Sequence, residues 1–430
     1  MRTFLIQNFG CRATQADGAA LEGMLRGQGL SAAGENREAD LVILNTCTVT
    51  AEADNDVRQA ARRVHRENPR ARILVTGCYA QRAPEDLAGL PGVEWVVGNS
   101  HKTRIGELIW DAPYHGQVHV GDIFEQREFL SAPVEDALGD RTRPNLKIQD
   151  GCGNRCSFCI IPSVRGRSRS AGPDEVVSQV RRLAARYKEV VLSGINLGRW
   201  GRDLEGRLRL VDLVRRLLEE TDVRRLRLSS VEPMDFSDDL LRLMAASERI
   251  ASHVHAPLQS GCDRTLRRMR RKYRPRHYED RLRKAREWMP EAAIGADVMV
   301  GFPGETEEEF EESRRFIESL PFTYLHVFTY SERPGTEAER LPGVVPMAVR
   351  KQRNRLLREL AAAKNLEFRR AMVGRTLSAV TLEQTGVALT ENYLKVKMAS
   401  ARPANEMVRL RIGGVGEPGL LEDAPFRVLA

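Results

Sequence analysis

Short apolar runs, each closed by glycine or asparagine and followed by a longer helical stretch, recur through the first hundred residues. They are Phe4-Leu5-Ile6 leading to Asn8-Phe9-Gly10-Cys11, Leu41-Val42-Ile43-Leu44 leading to Asn45-Thr46-Cys47, and Ile73-Leu74-Val75 leading to Thr76-Gly77-Cys78. Unalternated apolar runs of this length read as strands covered on both faces. Residues 14–28 and 51–67 read as the helices between them, a β-α-β-α-β order that predicts an open parallel sheet. In such sheets ligands bind at the carboxyl ends of the strands, which is where all three cysteines fall.

The pattern resumes further on. Strands are expected entering Cys152 and at 189–194, 225–230, 253–256, 294–301 and 324–328, each followed by a helical stretch. That makes six β/α units, a partial (β/α)6 barrel whose reactive groups belong at the strands' C-terminal ends. Residues 346–372 read as one long Arg-rich helix, with Pro346 at its start and Gly374 past its end. Beyond it, short strands at 376–382, 387–389, 394–398, 408–412 and 426–429, separated by Gly, Asn and Pro turns, predict a small antiparallel β-barrel of the OB-like kind. The fold class is therefore α/β: an N-terminal open parallel α/β domain (1–115), a connector (116–140) ending in mixed Asp, Glu, Pro and Gly, the partial barrel (141–370) and the small barrel (371–430).

No apolar run approaches membrane-spanning length. Met1-Arg2-Thr3-Phe4-Leu5 leads straight into a strand without the apolar core of a signal peptide. A cytoplasmic protein with no membrane partner is expected, in which cysteines serve metal or catalysis more often than disulfides. The net charge is +8, and arginine far outnumbers lysine. Clusters at Arg165-Gly166-Arg167-Ser168-Arg169, at 267–274 and in the long helix suit a polyanion, since the guanidinium fork binds two phosphate oxygens at once; a solvated helix face is the plainer alternative.

Chemistry is densest at Cys152-Gly153-Asn154-Arg155-Cys156-Ser157-Phe158-Cys159. The spacing C-x3-C-x2-C offers three thiolates and no fourth. An iron–sulfur cube held for electron transfer takes four cysteines, so three leave one iron open to bind a small molecule. Zinc also accepts closely spaced cysteines, but a closed zinc site needs a fourth ligand and no second half-site follows. Seven cysteines are present in all. Cys11, Cys47 and Cys78 could converge on one point at the strand ends, or be unrelated buried thiols. Cys262 reads as a small pocket or core thiol. His253 and His255 read as structural histidines facing opposite ways, neither paired with a carboxylate.

The triplet, with an aromatic residue before its last cysteine, resembles the radical S-adenosylmethionine (SAM) signature. Together with Asn8-Phe9-Gly10-Cys11, Asn45-Thr46-Cys47-Thr48-Val49-Thr50 and Gly77-Cys78-Tyr79-Ala80-Gln81 it resembles the methylthiotransferases from end to end. The second and third cysteine motifs look like the branch acting on N6-threonylcarbamoyladenosine beside the tRNA anticodon; the isopentenyladenosine and ribosomal-protein branches carry other residues after the second cysteine. The first motif departs from the usual Cys-Lys/Arg-Val-Asn-Gln, for Cys11-Arg12-Ala13-Thr14-Gln15 lacks the Asn. The resemblance implies two [4Fe-4S] clusters with open irons, on Cys152, Cys156 and Cys159 and on Cys11, Cys47 and Cys78, and SAM as cofactor. It implies a SAM and substrate pocket lined by Phe158, Gly194, Asn196, Ser230, Glu232, Gln259, Val300, Gly301 and Pro303. It further implies RNA contacts at Arg165, Arg167 and Arg169, a TRAM-type C-terminal barrel, and as partners a tRNA anticodon loop and a flavodoxin- or ferredoxin-type electron donor. The rivals are the same chemistry on isopentenyladenosine or on a ribosomal protein, and a non-catalytic iron–sulfur RNA-binding protein.

Overall fold

The computed structural model describes residues 1–110, 116–127 and 142–423. Strands β1 (Thr3–Asn8), β2 (Ser31–Ala32), β3 (Leu41–Thr46), β4 (Arg72–Gly77), β5 (Val93–Gly98) and β6 (Gln117–His119) form one sheet, ordered β2-β1-β3-β4-β5-β6. Every pairing in it is parallel. Successive residues of β3 explain why its run is unbroken. Val42 and Leu44 pack with Val57, Ala61 and Val64 of helix Ala51–Glu67. Leu41 and Ile43 pack with Leu21 and Leu25 of helix Arg12–Gly27 on the other face. The strand order reverses between β1 and β3, the place where open sheets leave a crevice for ligands. The sheet also reaches into the segment read as connector, because β6 pairs with β5; the rest of that connector lies largely outside the described residues.

The central strands are β7 (Asn145–Asp150), β8 (Arg169–Ser170), β9 (Glu189–Gly194), β10 (Arg225–Leu228), β11 (His253–His255), β12 (Ala293–Val300) and β13 (Tyr324–Thr329). All run parallel except β8, a short antiparallel partner of β7. A parallel bridge from Leu226 to Ile250 joins the two groups of strands into one open barrel. Leu226, Leu228, Val254, Ile294, Ala296 and Val298 pack outward against the surrounding helices. Their neighbours Arg225, Arg227, His253, His255 and Asp297 therefore point inward, and the barrel's interior is polar.

The C-terminal strands β14 (Thr376–Thr381), β15 (Val387–Thr390), β16 (Lys395–Lys397), β17 (Met407–Gly416) and β18 (Gly419–Glu422) close into a barrel. The fifth strand is Gly419–Glu422; the expected one at 426–429 lies outside the described residues. All pairings are antiparallel except β16 with β18, which closes the barrel in parallel. The long helix spans Met347–Ala371. Two of its arginines are structural: Arg350 is buried on the Val345 and Tyr330 carbonyls, and Arg353 on Glu305. Among the described residues no helix is long and apolar enough to cross a membrane.

The first sheet is fastened to the barrel by a buried ion network. Asp17 receives Lys102 Nζ at 3.0 Å, Arg165 Nη2 at 2.9 Å and Lys147. Asp150 receives Arg165 Nη1 at 3.0 Å and Lys147 Nζ at 2.9 Å. Burial pushes the Asp17 carboxyl up, but the three cations outweigh it and hold it well below the usual carboxylate range. A folded value below the unfolded one means the stabilisation is full above about pH 4 and is lost as pH falls through the folded value. Asp17→Asn leaves buried cations short of their partner and is expected to cost about 3–5 kcal/mol at neutral pH. Urea midpoints measured against pH should show this gap, and the gap should narrow below about pH 4.

Candidate active site

Cys11, Cys47 and Cys78 follow the carboxyl ends of β1, β3 and β4, around the crevice where the strand order reverses. Two glycines bring the chain in close. Gly10 has φ +101°, and a Cβ there would lie 2.3 Å from Cys47 Cβ and 2.7 Å from its Sγ; Gly77 has φ +103°, with Thr46 O 2.4 Å from the same imagined atom. The hydrogen bond with Cys47 holds the Cys11 thiol well below its ordinary value, and the Arg165 cation adds to this. The same bond, with burial, pushes the Cys47 thiol up. Asn99 Nδ2 lies 3.6 Å from Cys78 Sγ.

Polar residues of the second cysteine motif anchor its loop. Asn45 bonds Asn8 and the Thr14 carbonyl, and Thr46 Oγ1 donates to Thr76 O at 2.7 Å. Thr48 donates to Asp54, which also receives Arg82 and, from the central barrel, Arg333 at 2.8 Å. Arg333 Nε further donates to Val49 O.

Cys152, Cys156 and Cys159 lie in the loop after β7. Gly151 (φ +70°) turns the chain where a Cβ would meet Arg167 O at 2.0 Å. Cys152 N donates to Gly166 O, Ser157 N to Met269 O, and Cys159 N to Cys156 O. Asn154 N lies 3.4 Å and Asn196 Nδ2 3.6 Å from Cys152 Sγ. Burial pushes the Cys159 thiol up to about 12 and raises Cys152 too. Crowded buried thiols of this kind become thiolates most readily when a cation binds them.

The expected pocket residues separate on inspection. Asn196 is buried, its N–H donates to Gln149 Oε1, and its Oδ1 has no partner among the described residues. Ser229 Oγ, next to the expected Ser230, is likewise buried and unpartnered. Gln259 holds φ +65°, unusual for a residue with a side chain. Gly194 packs on Gln149, and Phe158 edges onto Phe302 beside Met299. Gly301 N donates to Glu305, and Pro303 is buried. Val300 needs correction: its side chain lies in the core between strands and helices, so its backbone alone can meet a ligand.

Arg165 also needs correction as an RNA contact. It is 1% exposed and both ends of its guanidinium are held by Asp17 and Asp150. Arg169 is half-buried with Nη1 on Gln126 O, whereas Arg167 is exposed. Arg271, read only as part of a basic cluster, is buried, with Nη1 3.3 Å from Cys156 Sγ and Nη2 2.5 Å from Glu232. Its spacing in a run of arginines gave no sign of this. His253 and His255 face the same way, as residues two apart on a strand must; both bond Tyr324 Oη, at 2.7 and 2.8 Å. His255 Nε2 also meets Asp297 at 3.2 Å. Cys262 is a core thiol 3.2 Å from Glu312.

The segments that carry the two triplets pack together. Cys78 packs with Ile160 and Val164, one and five residues after Cys159, and Asn99 Nδ2 bonds Val164 O at 2.8 Å. Each triplet fits a cluster of irons: it offers three soft ligands with a glycine turn directly before one of them, and beside Cys152 the unpartnered Asn196 Oδ1 can meet a further ligand. Gly10→Ala is expected to add about 1–3 kcal/mol of strain and to displace Cys47. Iron incorporated on reconstitution should fall, while the Cys152 triplet keeps its share.

Residues 146–317 match the Radical SAM superfamily, and residues 3–98 match a family described as Uncharacterized protein family UPF0004. The threonylcarbamoyladenosine tRNA methylthiotransferase MtaB of Aquifex aeolicus is 37% identical, over 94% of this chain and 99% of that protein. The protein of the same name from Bacillus subtilis is 36% identical over 97% and 95%. The tRNA-2-methylthio-N(6)-dimethylallyladenosine synthase of Saccharopolyspora erythraea is 35% identical over 91% and 81%. In fold, the chain is similar to the radical S-adenosylmethionine methyltransferase TsrM from Kitasatospora setae, with a TM-score of 0.57 at 16% identity over 79% of this chain and 77% of that one. With two cysteine triplets on segments that pack together and relatives this similar along nearly its whole length, the chain belongs to the radical SAM methylthiotransferase family.

Proposed function

We propose that this enzyme modifies tRNA, inserting a methylthio group at C2 of N6-threonylcarbamoyladenosine next to the anticodon, with SAM and two [4Fe-4S] clusters. The contact of Cys78 with Ile160 and Val164 carries the reading, because it packs the segments that bear the two cysteine triplets against each other. Sulfur insertion at an unactivated carbon needs both a hydrogen abstraction and a sulfur donor within reach. A cluster held by Cys152, Cys156 and Cys159 would, with SAM and one electron, supply the hydrogen abstraction at C2, and one held by Cys11, Cys47 and Cys78 would supply the sulfur, a second SAM giving its methyl group.

The chain's own residues do the rest. Asn196 Oδ1 and Ser229 Oγ are oriented to receive SAM's polar groups. Arg271 places a fixed cation beside Cys156, and Glu232 keeps that cation in position. Arg165, between Asp17 and Asp150, fastens the sheet to the barrel so that the gap between triplets is set in advance. An anticodon loop is single-stranded, so its adenine can be unstacked into the gap. Arg167, exposed beside the cluster loop, is placed to meet phosphate, and the C-terminal barrel adds an RNA-binding module. A flavodoxin- or ferredoxin-type protein of the cytoplasm supplies the electron. The names of the Aquifex and Bacillus relatives support the threonylcarbamoyl substrate; the similar identity of the Saccharopolyspora protein makes the dimethylallyl nucleoside the second outcome to watch.

Nucleoside mass spectrometry of tRNA from a bacterial host lacking its own threonylcarbamoyladenosine methylthiotransferase tests the substrate. The methylthio-threonylcarbamoyl nucleoside should appear with the intact gene and not with Cys152→Ala. A rise of the methylthio-isopentenyl form alone would overturn the substrate. Reconstituted protein should hold about eight irons per chain and about four when Cys11, Cys47 and Cys78 are replaced by alanine.

A further inference from the structure

One inward face of the central barrel, on strands β12 and β13, has no part yet in the chemistry. Strands β12 and β13 pair Gly295 with Tyr324, Asp297 with His326, and Met299 with Phe328. Gly295 is required there, since a Cβ would lie 1.9 Å from Tyr324 Cζ. At the upper end Met299 packs against the same apolar cluster, around Phe302, as Phe158, the residue before Cys159. At the lower end Tyr324 lies 5.9 Å from Tyr393 of the C-terminal barrel, ring to ring, and Tyr393 Oη receives Arg12 Nη2 at 3.4 Å. Arg12 directly follows Cys11. The lower end of the face is thus linked, through Tyr393 and Arg12, to the chain beside Cys11.

Its polar groups are arranged as a receiving site. Asp297 accepts from His255 Nε2 and His326 Nδ1, both at 3.2 Å. Those bonds orient the His326 ring and leave its Nε2 with no partner among the described residues; the side chain is 52% exposed. Phe328, two residues on and on the same face, is 48% exposed, an apolar surface against which a base can lie. Arg12 is half-buried, and among the described residues no carboxylate pairs with it. A half-buried arginine lacking an acid partner, across from an oriented imidazole, matches a ligand that brings its own carboxylate together with hydrogen-bonding groups.

We propose that Arg12 and the His326–Asp297 pair form the pocket for the N6 substituent of the adenine, Arg12 pairing with its carboxylate and His326 hydrogen-bonding its amide or hydroxyl. This rests on the threonylcarbamoyl reading above. A site built to satisfy such groups rejects an analogue that lacks them, because its own polar groups are then left unpaired. The apolar isopentenyl substituent is the analogue so rejected.

The test uses the reconstituted full chain and two synthetic anticodon stem-loops, one with N6-threonylcarbamoyladenosine and one with the threonyl carboxylate as its methyl ester. The wild type should favour the acid by about 10- to 100-fold in kcat/KM, the worth of one charge-assisted hydrogen-bonded contact. Arg12→Gln should lose that factor on the acid, mainly through KM, and change little on the ester; Arg12→Lys should restore part of it. Iron content and 5′-deoxyadenosine formed without RNA should match wild type. Should Arg12→Gln lose iron, His326→Phe, distant in sequence from every cysteine, carries the test: about a tenfold fall on the acid through KM supports the pocket. Equal losses on acid and ester from Arg12→Gln, or no loss from either variant, overturn it while the function above stands. If the wild type leaves the acid stem-loop unmodified but converts an isopentenyl one, the substrate reading fails and the pocket with it.

Discussion

Everything in the active site depends on one buried knot of charge. Asp17 comes from the first helix of the N-terminal sheet, Lys147 and Asp150 from the first strand of the central barrel, and Arg165 from the short helix Ile161–Arg165 after Cys159. Two carboxylates face three buried cations, so the knot is short of negative charge. Both Cys11 and Cys78 lie within electrostatic reach of Arg165. Taking a charge out of water is costly unless its partners are held in place, and here the partners come from both sides of the joint. The geometry between triplets is thus as firm as the knot.

The backbone makes the same point without charge. Gly10, Gly77 and Gly151 turn the chain at positive φ immediately before a cysteine, where a Cβ would strike a neighbour at 2.0–2.4 Å. The three turns deliver Sγ atoms to the carboxyl edges of parallel strands. Parallel strands end together, and their ends are where side chains from distant parts of the sequence converge.

Much of this was legible beforehand. Apolar runs buried on both faces of a parallel sheet are continuous, so β1, β3, β4 and β9 could be read directly, as could the cysteines that follow them. The long helix announced itself through Pro346 and Gly374. The last strand of the small barrel was not legible, because Gly419-Leu420-Leu421-Glu422 carries only two apolar residues and its place comes from closing the barrel beside β16. The arginines misled for a related reason. Arg165, Arg271, Arg350 and Arg353 look in sequence like any basic surface, yet each is buried against a specific acid or carbonyl. His253 and His255 were legible in principle, since a period of two places them on one face; what they touch was not.

The sequence by itself determined the local order, the placing of three cysteines after strand ends and three in one loop, and the kind of chemistry they support, because strand periodicity, glycine turns and ligand spacing are short-range properties. Only the tertiary structure decided which charges are spent inside the molecule and which remain to meet a substrate. Whether an arginine such as Arg165 is a fastening or one such as Arg12 a receiver depends on the carboxylate across from it. That carboxylate lies up to 148 residues away along the chain, as Asp17 does from Arg165, and no pattern of neighbours in sequence encodes that distance.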